Sequence, residues 1–366
     1  MTDHQPSDHP SDDHPTGDHP SDDHAANRQL IAPLRAALYD YEPEAVQRAL
    51  GELMAPDAPV MLAHPFEDLD GPAGWFGEAL APLGRAWPDL ERRDWIVMAG
   101  ADPYGEAWIG CGGDYVGTFV EPWLGIPPTG QPTSMRYHEF FRVEDGRVTE
   151  MQALWDLPEV MLQANAWPLA PSLGREWQAP SPAGQDGLIA GPWDAERAQA
   201  SVDHVIGMLE DMGRHPTEPV EAMRLDHWWH PRFSWYGPAG IGSGRGADAF
   251  RQIHQIPFLK SMPDRRGGGY TRQSHFFGDG DYVGETAWPG MEMTITGDGW
   301  LGIPPLDTAI TMRSLDFWRM ECVELPDGTI DRKIRENWVL VDLLHVYDQI
   351  GVDVLARMRE LVAGRR

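Results

Sequence analysis

The sequence predicts an α+β fold written twice in tandem, and three observations carry that prediction. Trp123-Leu-Gly-Ile-Pro-Pro128 recurs letter for letter at Trp300 to Pro305. Around it, Gly113-Asp-Tyr-Val-Gly117 recurs at Gly280 to Gly284, Met135-Arg136 with Phe140 and Arg142 recurs as Met312-Arg313 with Phe317 and Arg319, and Asp-Gly pairs follow at Asp145 and Asp327. Within each copy, helical periodicity comes first and strand-like alternation follows, the order of an α+β unit whose curved antiparallel sheet and helices enclose a pocket. A repeat this long exceeds any solenoid unit and implies a duplicated domain. At 366 residues the chain is also longer than one hydrophobic core usually fills.

Composition narrows the function. Lys plus Arg number 29 against 57 Asp plus Glu, a formal charge of −28 that repels phosphate backbones and excludes nucleic acid as a partner. Cys111 and Cys322 occupy non-equivalent places in the copies, so no ancestral disulfide is expected and a reducing, cytoplasmic setting follows. No apolar run reaches membrane-spanning length, and the N-terminus lacks a signal peptide's apolar core. Apolar residues make up 42% and include 16 Trp, enough for two packed cores.

Residues 1–26 read as a disordered tail. His4, His9, His14, His19 and His24 stand five apart, but Pro6, Pro10, Pro15 and Pro20 prevent a helix from aligning them, so no metal site is expected. The first unit, 27–167, opens with Leu30, Leu34 and Leu38 on one helical face and a second helix after Pro43. A loop through His64-Pro65-Phe66 and a short helix near Gly71 follow. Strands are predicted at 94–99, 104–111, 115–119, 133–143 and 147–155, then a helix capped by Asp156. Residues 168–192, rich in Pro, Gly, Ala and Ser, form the linker. The second unit, 193–366, repeats the order: helices at 193–214 and 218–230, a glycine-rich loop into a helix near Ala247, strands from Tyr270 to Val341, and a closing helix after Asp342.

Asp145-Gly-Arg-Val148 with Glu150, and Asp327-Gly-Thr-Ile330 with Glu336-Asn337-Trp338 and the helix from Asp342, resemble the SnoaL-like polyketide cyclases of the nuclear transport factor 2 superfamily. The resemblance covers both units and implies two cone-shaped α+β barrels, no cofactor, and acid–base work on a polyketide-like or cyclic carbonyl substrate. It also implies sheets packed face to face as an intrachain pseudo-dimer, with a homo-oligomer as a further expectation. In that family a His on one strand works with an Asp on the next. His138 matches the His, but Gln152 or Ala153 stands where the Asp belongs.

Alternation assigns the side chains to faces. Met135, Tyr137, Glu139, Phe141 and Val143 share one side of their strand, as do Met312, Ser314, Asp316, Trp318 and Met320 in the repeat. On the next strands Glu150 and Glu336 are equivalents. Carboxylates on apolar faces either pair with a neighbouring Arg or act as pocket acids whose pKa burial raises. The catalytic candidates are Asp316, Glu336, His254, His138, Glu139 and Glu150. The substrate-binding candidates are Trp235, Tyr236, Trp318, Trp338, His64 and Tyr137, with Trp235, Tyr236 and His254 expected in the second cone's helical wall and entrance. That cone is the favoured site. His227 and His230 stand a helical turn apart but lack a third ligand, and the Gly240 to Gly246 loop lacks the Lys of a phosphate loop. Two functions remain open: a cofactor-independent cyclase or isomerase, and a non-catalytic binder of a hydrophobic small molecule.

Overall fold

The computed structural model of the chain describes residues 24–215, 217–267 and 273–365. His4, His9, His14 and His19, and the expected strand start at Tyr270, lie outside them. Residues 24–26, assigned above to the tail, open a helix, His24–Leu30. The His24 ring stands edge-on to Trp193 at 4.5 Å and Arg28 pairs with Asp279 at 2.6 Å, so this helix is held by the second unit.

Six strands build the first sheet: β1 (Val60–Leu62), β2 (Glu67–Leu69), β3 (Glu91–Ala101), β4 (Ala107–Thr118), β5 (Pro132–Glu144) and β6 (Arg147–Trp155). Seven build the second: β7 (Trp229–Tyr236), β8 (Gly244–Arg245), β9 (Arg266–Gly267), β10 (Ser274–Asp279), β11 (Tyr282–Thr294), β12 (Ala309–Glu324) and β13 (Ile330–Val341). The spatial orders β2-β1-β6-β5-β4-β3 and β8-β7-β13-β12-β11-β10 are the same topology twice. Each sheet is curved, open at both ends and mixed, because β1 and β7 lie parallel to β6 and β13. The expected α+β cones with a curved sheet are found, with one parallel pairing added to each otherwise antiparallel sheet. The sequence hid this pairing, since β1 is too short to show a period and β7 was expected to be helical.

Local chemistry explains the helices. Pro43 opens Pro43–Leu53, where a missing N–H is harmless, and Glu42 caps it by accepting from the Ala45 N–H. The third helix expected in each unit, found at 71–86 and 246–261, widens in its middle, at Trp75–Leu80 and Arg251–Gln255. There Ala81 N–H donates to Phe76 and Ile256 N–H to Arg251, one residue farther back than in an α-helix. Pro82 and Pro257 follow at once, and each removes the donor that would continue the regular ladder. Asp156 and Asp342 cap the helices after β6 and β13, as expected. The repeated Trp-Leu-Gly-Ile segment is a tight turn. Trp123 and Ile126 exchange backbone hydrogen bonds, as do Trp300 and Ile303, with Leu124, Gly125, Leu301 and Gly302 all at positive φ.

The sheets pack against each other within the chain. Phe140 and Phe317 stack across the seam at 4.9 Å. Gly284 lies under Phe140 and Gly110 under Phe317; a Cβ at either would come within about 3 Å of the ring. His138 Nδ1 meets the Leu315 carbonyl at 2.6 Å, the Thr286 hydroxyl donates to Gln152, and Arg136 donates to the carbonyls of Tyr236, Gly237 and Val339. Counterparts thus exchange contacts, as in a twofold pair. The linker is pinned across both units, with Val97 N–H donating to Gly187 and Gly174 N–H to Ile241. Among the described residues no helix is long and apolar enough to cross a membrane.

Candidate active site

The second unit holds a cavity of about 170 Å³ between its sheet and its helices. Trp229, Trp235, Trp300 and Trp318 wall it, with Met212 and Met291 among the apolar lining. Trp300 belongs to the repeated turn, which therefore forms part of the cavity wall. Trp235 sits on β7, so the expectation of a helical position for it is corrected. His254 lies on the widened turn of the third helix and stacks on Trp235 with ring centroids 4.2 Å apart. Burial among aromatics pushes its pKa down to about 3, leaving a neutral imidazole whose Nδ1 has no partner among the described residues.

On the sheet side stand two carboxyls. Asp316 on β12 pairs directly with Glu285 on β11, and directly paired residues share a face with Cβ atoms about 5 Å apart. Both line the cavity and are nearly fully buried. Burial raises Asp316 to about 7, against the hydrogen bond donated by Ser314 Oγ at 3.0 Å. Burial first, and then the charge of Asp316, push Glu285 well above the carboxylate range. Among the described residues neither carboxyl has an ion-pair partner. Near neutrality the pair is one neutral acid beside one carboxyl poised to lose or take a proton, a division of roles that suits acid–base chemistry.

Glu285 was missed because the repeated Gly-Asp-Tyr-Val-Gly blocks are not equivalent. Gly284 pairs with Phe317 and Gly110 with Phe140, so Gly284 is the counterpart of Gly110, and Cys111 is the counterpart of Glu285. Aligning the blocks by their letters moved β11 out of register.

The other candidates fall elsewhere. Glu336, Tyr236 and Trp338 share the face turned away from the cavity. Glu336 pairs directly with Arg319 and Trp338 with Phe317, both on the seam face. Tyr236 O–H and Ala183 N–H donate to Glu336, and Trp338 Nε1–H donates to Pro180 under the linker. The phase error is physical: a bulge between Ile334 and Glu336 flips the alternation, so Ile334 points into the cone and Glu336 away. Glu150 suffers the same inversion through a bulge at Arg142/Val143 and pairs with Arg142 at 3.4 Å. His138 lies in the inter-sheet seam, where burial holds it neutral. His64 sits in another inter-unit contact: its ring meets Glu67 at 2.9 Å and its N–H donates to Asp342.

Glu139 and Tyr137 do face the first cone, but that space is filled. Arg92, fully buried, pairs with Glu139 at 2.5 Å and lies 4.3 Å from the Tyr137 ring. Tyr115 and Trp155 each donate to Glu139 at 3.0 Å, and Tyr137 O–H donates to Asp94. Pairing with a strand Arg, one of the two outcomes weighed for Glu139, is the arrangement found. His227 ends in a short helix and His230 on β7, so they share no helical face. Among the described residues one group with metal-ligand chemistry, Asp102, Glu106 and His275, lies outside the cavity. His275 Nδ1 meets Asp102 at 2.6 Å and Arg142 meets Glu106 at 3.3 Å, so ion pairs already occupy it.

A helix-backed open sheet of one topology, built twice in one chain and enclosing a cavity in the second copy, defines a tandem α+β protein. Residues 41–164 match the SnoaL-like polyketide cyclase family model, which makes the first unit a SnoaL-like domain; the second repeats its strand order. Similar solved structures include IdmH, a candidate polyketide cyclase from Streptomyces antibioticus, at 24% identity over 38% of this chain and 98% of its own, TM-score 0.32. A candidate SnoaL-like polyketide cyclase from Jannaschia sp. CCS1 shows 23% identity over 40% of this chain and 95% of its own, TM-score 0.33. AclR, a candidate hydroxylase from Streptomyces galilaeus, shows 20% identity over 38% and 97%, TM-score 0.32. No curated protein matches the chain.

Proposed function

We propose that the second cone is a cofactor-independent acid–base site of cyclase or isomerase type, acting on a hydrophobic cyclic or polyketide-like carbonyl compound. The observation that carries this is the facing pair Glu285 and Asp316, buried in a largely apolar cavity with no ion-pair partner among the described residues. Ionised Asp316 takes a proton from the carbon beside the substrate carbonyl. The neutral Glu285 carboxyl donates a hydrogen bond to the carbonyl oxygen, where negative charge develops. The proton then returns to another carbon, giving isomerisation, or the enolate attacks a second carbonyl and Asp316 returns the proton to the new alkoxide, closing a ring. The first cone, filled by Arg92 and Glu139, supports the second through the seam.

A bound ketone in D2O tests this. Wild-type protein should exchange its α-protons for deuterium, read by NMR, and Asp316→Asn should not. A second function, a non-catalytic binder, is favoured by the four Trp of the cavity wall. Tight binding with exchange no faster than in buffer would establish it in place of the enzyme.

A further inference from the structure

The cavity constrains its ligand more narrowly than the fold does. A cavity of roughly 150 Å³ takes one benzene ring, so 170 Å³ encloses one substituted ring or a compact fused pair, less than three fused rings occupy. Across the cavity from the carboxyls, the helical wall presents Gln255. Its Nε2 reaches the Met223 sulfur at 3.5 Å, whereas its Oε1 has no partner although the residue is only 1% exposed. An amide oxygen is an acceptor only, and leaving one buried and unpaired costs about 1–3 kcal/mol. It calls for a donor that the described residues do not supply. His254 Nδ1 beside it is likewise unpaired. The cationic lining residue is Arg265, whose Nη2 donates to the Met212 and His215 carbonyls, whereas the sheet wall carries the two facing carboxyls, which would repel an anionic group placed there.

We infer that the ligand is an uncharged one- or two-ring carbonyl compound carrying a hydroxyl on the side away from the carbonyl. The carbonyl lies at Glu285 and Asp316, and the hydroxyl donates to Gln255 Oε1. The placement of the carbonyl rests on the proton-transfer function proposed above; the size limit and the hydroxyl do not. The contribution of such a donor is expected to be about tenfold in affinity, the effect of one neutral hydrogen bond to a buried acceptor.

Calorimetric titration of the full chain at pH 7 tests the inference with acetophenone, 4-hydroxyacetophenone, 4-methoxyacetophenone and the three-ring anthrone. The hydroxy compound should bind about tenfold more tightly than the other two acetophenones, anthrone should not bind, and Gln255→Leu should erase the hydroxyl preference. The hydroxy-to-methoxy comparison needs only the wild-type protein, so the outcome stands even where the variant folds poorly. Anthrone binding as well as the acetophenones, or equal affinity for the hydroxy and methoxy compounds, overturns the inference. The expected order of affinities without α-proton exchange supports this ligand class and overturns the catalytic proposal instead.

Discussion

Glu285 and Asp316 stand directly opposite each other on β11 and β12, two buried carboxyls sharing one apolar cavity wall. Their counterparts in the first sheet are Cys111 and Glu139, and there Arg92 fills the space and neutralises the acid. Duplication has thus left one cone packed and one open. Glu285→Gln and Asp316→Asn should each lower turnover on the order of 10²-fold or more, because each removes one of the two groups that move or hold the proton. Glu336→Gln, by contrast, should leave turnover within a few-fold, since Glu336 faces the linker. Measuring kcat/KM for the three variants decides between the two faces of the second sheet; a collapse in Glu336→Gln alone would return the site to the linker side.

The same pair should make stability and activity oppose each other. Asp316 is raised from its ordinary value to about 7, so the folded state holds a proton that the unfolded chain has released. Stability therefore falls as pH rises from about 4 through about 7, then levels off. Asp316→Asn removes that loss, which amounts to at most about 4 kcal/mol on the linkage scale. We expect the variant to melt close to wild type at pH 4 and above it at pH 8. A variant less stable than wild type at pH 8 would show that the buried carboxylate has a stabilising partner.

Much of this was legible in the letters, and the errors have local causes. The α+β order, the caps Asp156 and Asp342, and the cone-facing set Met312, Ser314, Asp316 and Trp318 follow from period two and from helix-start chemistry. Bulges at Arg142/Val143 and Ile334/Glu336 were invisible, because one extra residue inverts every later side chain while leaving the composition unchanged. Trp235 and Tyr236 were placed on a helical wall because Trp228 and Trp229 continue an apolar run across the helix-to-strand change at Trp229. Arg92 gave no signal of its own. A cation that closes a cone from two strands away is a tertiary fact.

In the first cone, Glu139→Gln should destabilise the protein by about 3–5 kcal/mol, since it leaves the fully buried Arg92 guanidinium without its closest counter-charge. Ligand affinity in the second cone should not change. Urea unfolding and calorimetry measure the two separately. A variant of unchanged stability would mean that Asp94, 3.0 Å from Arg92, suffices alone.

At the seam, Phe140→Ala and Phe317→Ala should each cost about 3–5 kcal/mol. Because the rings stack on each other, the double variant should lose less than the sum, with a coupling of about 0.5–3 kcal/mol. Strict additivity in that cycle would mean that the two sheets are held by their polar contacts, chiefly Arg136.

The pH dependence of catalysis offers the most specific test of the roles assigned. Asp316 must be ionised to accept a proton, and its value near 7 sets the rising limb of kcat/KM. Glu285 must stay protonated to donate, and burial together with the negative charge opposite holds it well above ordinary carboxylates, so it sets a falling limb at higher pH. The result is a bell whose two apparent values belong to the pair as a unit, since ionising either carboxyl raises the other. Glu285→Gln keeps a hydrogen-bond donor but cannot ionise. Its residual activity should therefore lose the falling limb and keep the rising limb, because Glu285 is still neutral where Asp316 ionises and burial alone raises Asp316. The residual activity of Asp316→Asn should lose the rising limb. His254, held neutral with a pKa near 3, should leave the profile between pH 5 and 9 untouched, so His254→Gln should change its height and not its shape. A bell that persists unaltered in both carboxyl variants would assign the titrating groups elsewhere and remove the proton-transfer role from this pair.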